Sequence, residues 1–147
     1  MRSENSNSTE TITNEIEDII KNTAIGAANV EKLGALLLSF GYSTFIKASD
    51  IDILEVLNKN NTGITSFSIL VFGQKFTLLG YILLYIAASK RLNEKTLANL
   101  HESEKNDLLA FEAIKNAYIG SIILNYLRLV EFIKLEQEER QKEDSQS

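Results

Sequence analysis

Apolar residues along this chain recur every three to four positions, the period of a helix, rather than at every second position as in a strand. Ile16, Ile19 and Ile20 open an i, i+3, i+4 stripe that predicts a first helix over about 13–48, with a possible interruption at Gly26. Ser49-Asp50-Ile51-Asp52 has the form of a capping box with Asp in place of Glu. It predicts a fresh start and a short amphipathic helix over about 50–58, with Ile51, Leu54 and Leu57 on one face. The run Asn58-Lys59-Asn60-Asn61-Thr62-Gly63 reads as the clearest loop. A long apolar helix is expected over 64–91, a polar connection over 92–106, and a last helix over 107–140. Residues 67–72 alone would suit a buried strand, but no second run of that character exists to pair with them.

The expected fold class is therefore all-α: about three long apolar helices in an antiparallel bundle, membrane-embedded, with polar tails. One helical domain covers 13–136, flanked by solvated polar tails over 1–12 and 137–147. A weak recurrence of aliphatic-Gly-x-aliphatic-aliphatic-aliphatic at Leu33, Leu79 and Ile119 accompanies the three helices, but its spacings are unequal, unlike those of a true repeat.

The glycines change the picture most. Gly34 and Gly41, Gly73 and Gly80, and Ala113 and Gly120 are each seven residues apart, so each pair shares one helix face. Glycine within a helix costs about 1 kcal/mol relative to alanine. Several at face spacing predict close helix-to-helix approach, which in lipid is the usual packing device and in water permits tight crossings. Gly34, Gly41, Gly73, Gly80 and Gly120 are the expected packing positions.

Composition sharpens the setting. The mean hydropathy of −0.06 averages two acidic ends with an apolar middle. The net charge of −5 divides into −4 over residues 1–20, −3 over 136–147 and +2 over everything between. Stretches 33–46, 60–74, 76–89 and 116–127 carry no charge, so 60–89 holds Lys75 alone. Segment 64–88 has thirteen Ile, Leu, Val and Phe residues. They are worth about −4 to −8 kcal/mol on an insertion scale, against roughly +3 for Lys75. Its length suffices to cross a bilayer. Segments 33–46 and 117–133 are weaker, the second holding Asn125, Arg128 and Glu131. The competing expectation is a soluble bundle whose central helix is apolar all round because others enclose it. Arg128, Glu131, Lys134 and Glu138, stepping along one face, favour water there. Tyr81, Tyr85, Tyr118 and Tyr126 suit an interfacial belt or the edge of a core. Lys and Arg divide evenly between the two sides of a three-span arrangement, so they assign no orientation.

Chemistry is sparse. The chain has no Pro, no Cys, no Trp and one His, which excludes disulfides, thiol catalysis and multi-histidine metal sites. His101 lies in a polar connection and reads as a surface residue. Asp50, Asp52 and Glu55 lack the glycine and terminal glutamate of an EF-hand loop. No phosphate-binding loop or nucleophile elbow occurs, and no basic stripe marks a nucleic-acid partner. No catalytic, cofactor-binding or metal residue is expected. The first residues lack the basic start and apolar core of a cleaved secretory signal. Abundant Ile and Asn suit an AT-rich bacterial coding sequence.

Lys75 is the one polar feature that mid-membrane burial would make functional. Its expected partner by depth is Glu31 on the preceding helix, with a hydrogen bond from Asn125. The alternative is a snorkelling or water-exposed lysine. These observations lead to a small non-enzymatic helical membrane protein with a structural or protein-interaction role. Its partners would be the lipid bilayer and another protein or a second copy. A soluble helical-bundle interaction module in the cytoplasm is the alternative.

Overall fold

The computed structural model describes residues 4–101 and 107–145, with side chains from Ile12 onward except those of His101 and Glu143. Three helices account for nearly all of it: α1 (Glu4–Val56), α2 (Ser66–His101) and α3 (Leu108–Asp144). No strand occurs among the described residues, so 67–72 is helical as expected.

The helices are longer than the apolar pattern predicts. α1 begins at Glu4, inside the segment whose polarity suggests a solvated tail, and α3 continues to Asp144, inside the other. The α3 extension is rich in Glu, Gln, Lys and Arg, good helix formers, and Arg140 donates there to Glu136 one turn back at 2.8 Å; the Ser, Asn and Thr of the first turns of α1 give no such reason. α1 also runs unbroken through Gly26 and through the Ser49 capping signal, merging two expected helices into one. The Ser49 hydroxyl donates instead to the Phe45 carbonyl at 3.1 Å, one turn back within the same helix. Without a proline, nothing forces a stop there.

The real stop comes at Asn58, whose φ of 53° is the left-handed conformation that ends many helices. Gly63, at φ 69°, makes the second reversal of the loop. Asn60 knits the loop together: its Nδ2 donates to the Glu55 carboxylate and the Ile64 carbonyl, while its Oδ1 accepts from Thr62. Thr65 caps α2 by accepting from the Ser68 amide, and Asp107 caps α3 by accepting from Leu109 and Ala110. The last cap lies where the sequence places the start of the final helix.

α2 packs against both α1 and α3, whereas α1 and α3 have no close backbone approach among the described residues. They meet through long side chains, such as the edge-on rings of Phe45 and Phe132 at 6.4 Å. The architecture is an α1–α2 hairpin with α3 laid along one side of α2.

Candidate functional site

The tightest part of the molecule is the seam between α1 and α2. A Cβ built on Gly34 would stand 3.0 Å from the Gly80 carbonyl oxygen, and one on Gly80 would stand 2.9 Å from the Gly34 oxygen. Gly41 and Gly73 face each other in the same way, at 2.8 and 2.9 Å. These distances leave room for a hydrogen and for nothing larger. Each facing pair advances seven residues on one helix and retreats seven on the other. Continuing that register brings Ala27 opposite Ala87 and Ala48 opposite Ser66, and all four are buried. A strict seven-residue repeat is the signature of left-handed supercoiling. Thr44 and Thr77 turn their hydroxyls back to the Gly41 and Gly73 carbonyls, at 2.7 and 3.1 Å, which keeps the seam's polar groups satisfied.

Gly120 differs. Among the described residues nothing lies within 4 Å of the place its Cβ would occupy, so it makes no such seam with α1 or α2. Its face of α3 turns outward, with Ala113 and Ala117 exposed beside it.

The pairing of Lys75 with Glu31 does not form. Lys75 is exposed, and it lies about eight residues, roughly 12 Å, from the level of Glu31 on the side from which its side chain leans away, toward the start of α2. Glu31 is held by Arg91, whose Nε and Nη2 both donate to one carboxylate oxygen, at 3.1 and 2.6 Å. The buried polar residue is the neighbour of Lys75, Gln74, at 0 % exposure. Its Nε2 donates to the Asn125 carbonyl and side-chain oxygens at 3.0 and 2.9 Å, fixing α3 to α2. Asn125 thus serves Gln74 instead of Lys75. The Gln74 Oε1 has no hydrogen-bond partner among the described residues, which marks this as a costly place for a polar group.

Glu55, half-buried, accepts from Asn60 and from the Ser66 amide, while Asp50 and Asp52 are exposed. No group of three or more metal-type ligands occurs among the described residues.

The outer surface is unusually apolar. α2 exposes Phe72, Leu79 and Ile86, again seven residues apart. α1 exposes Leu33, Leu36, Phe40 and Ile46, and α3 exposes Ile119, Ile123, Leu124, Tyr126 and Leu127. Phe40, Phe72 and Phe76 stack edge-on at 4.8 to 6.2 Å. The glycine pairs and the Gln74–Asn125 bond place these residues at one level, so the uncharged parts of α1 and α3 coincide. They form a band about 18–21 Å tall, from 12 to 14 residues at 1.5 Å each. Lys75 is the only charge on α2 within it. α2 is the one helix among the described residues long and apolar enough to cross a membrane, and only 33 % of its most apolar window is buried.

At one edge of this band a cavity of about 200 Å³ opens between the helices. Leu84 and Ala88 of α2, with Phe111 and Tyr118 of α3, make its apolar walls, and the Glu31–Arg91 pair stands at its rim. Comparison of the chain with known proteins gives no matching family model, no matching curated protein and no matching solved structure, so its function is argued from this geometry.

Proposed function

We propose that this is a small, non-enzymatic helical membrane protein, with a structural or interaction role, that presents its apolar band to lipid. The observation that carries the reading is the outward stripe Phe72, Leu79 and Ile86 on α2. A central helix of a soluble bundle would be covered along that stripe, and among the described residues it stays 37–50 % exposed. The band is shorter than the roughly 30 Å of a hydrocarbon core, so α2 is the spanning element and α1 and α3 flank part of its length. Lys75, between Phe72 and Leu79, snorkels from that stripe. Carbonate washing of membranes from cells expressing the full chain tests this. Retention in the pellet with release by detergent is expected; recovery as a monodisperse species in the soluble fraction overturns it.

The second reading is a soluble oligomer in which copies cover the band. The water-facing end of α3 favours it, with Lys134 bonded to Glu131 at 2.7 Å and Arg140 to Glu136 at 2.8 Å on exposed surface. Sedimentation of a soluble species at a multiple of 16.5 kDa would support that alternative.

A further inference from the structure

We propose that the cavity between the three helices binds the alkyl end of a single-chain amphiphile with an anionic head. Three features converge there. The first is size: about 200 Å³ exceeds the roughly 150 Å³ of an apolar cavity that stays dry and takes up benzene. The second is the lining. Ala87 and Ala88 are small where α3 contributes the large rings of Phe111 and Tyr118, so the helices are held apart and the space between them stays apolar. The third is charge at the mouth. Arg91 uses its Nε and one Nη2 proton on Glu31, leaving the rest of its guanidinium fork to solvent. Glu31 and Arg91 are the charged residues of the cavity lining, and the register puts Lys32, Lys90 and Lys115 against Glu112 within the length of bundle that the cavity spans, so its surroundings carry an excess of positive charge.

Apolar walls, a guanidinium with donors to spare at the mouth and a net positive surround match a ligand whose anionic head and chain lie at opposite ends. Carboxylate and phosphate heads share this chemistry, so a fatty acid and a monoacyl phosphate lipid are its two sources. The site lies at one edge of the apolar band and needs no bilayer, so it is independent of the membrane reading.

Photolabelling tests it on the full-length protein, in whichever cell fraction holds it. The probes are a dodecanoate and a dodecyl phosphate, each with a diazirine near the chain terminus, and a dodecyl trimethylammonium of the same chain. Adducts are expected on residues 84–88 and 111–118 with one or both anionic probes, the stronger one identifying the source, and the cationic probe should leave them unlabelled. Ala88→Leu fills the cavity and should abolish these adducts. Ile114→Phe closes it from a half-exposed position on α3, away from the glycine seam, and serves if the first variant does not fold. Loss of the charged donor in Arg91→Gln should weaken labelling about tenfold. Equal labelling by the cationic probe, or adducts spread over Leu36, Phe72 and Leu79 and unchanged by both filling variants, overturns the proposal.

Discussion

The two faces of α2 that carry its neighbours are built on opposite principles. Toward α1 it presents Ser66, Gly73, Gly80 and Ala87, and the backbones nearly touch. Toward α3 it meets a stripe of larger side chains spaced alternately three and four apart, including Phe111, Tyr118, Ile122, Asn125, Leu129 and Phe132, none of them fully buried. The first seam gains from dense packing and tolerates no added atom. The second leaves a cavity and relies on the buried Gln74 side chain, with its two bonds to Asn125, for its register. The difference teaches that periodicity alone does not make a tight interface; the size of what occupies the repeat decides it.

That contrast can be broken most sharply at the first seam. Gly73→Leu forces α1 and α2 apart at a point where even a Cβ meets the Thr44 hydroxyl and the Gly41 carbonyl. A loss of about 3 kcal/mol or more is expected in denaturant unfolding followed by circular dichroism. Unchanged stability would show that the seam is not formed. At the second seam, Gln74→Leu removes the bonds to Asn125 and should cost about 1–2 kcal/mol. Adding Asn125→Leu should recover part of that loss, because the orphaned partner goes too. Gly120→Ala should act in the opposite sense from any seam glycine. With nothing near its Cβ position, it should stabilise α3 by up to about 1 kcal/mol. A destabilising result would mean that a partner occupies that face. Smallest of all, Lys75→Leu should leave the unfolding free energy within about 0.5 kcal/mol of the parent, since the side chain is exposed.

The same comparison explains how much could be read from the sequence. The four seam glycines stand out because glycine is an expensive residue inside a helix, so its seven-residue spacing calls for a reason. Ala27, Ala48 and Ala87 extend the stripe and escape notice, because alanine is the commonest kind of good helix former. Their signal is the same spacing carried one step further on each side. Gly120 has that spacing too, yet nothing in the sequence of α3 says which of its faces turns inward. The Lys75–Glu31 pairing fails for a matter of side-chain direction. Matching Gly34 to Gly80 and Gly41 to Gly73 sets Glu31 level with Leu83, eight residues from Lys75 and from Arg91 alike. Side chains lean toward the N-terminus of their own helix, which in an antiparallel pair brings Glu31 and Arg91 together and carries Lys75 away. Ser49 misleads because a hydroxyl can serve a helix interior as well as its start.

The loop between α1 and α2 gives the hairpin a place in time as well as in space. Glu55 bonds both to Asn60 in the loop and to the first amide of α2, so the turn is closed by residues that lie within eleven positions of each other. All the small residues of the seam also precede α3 in the chain. Because the chain is synthesised from its N-terminus, every residue of the platform on which α3 docks is made before α3 itself. The loosest interface is then the last to form, and the one most readily left open for something other than α3 to occupy.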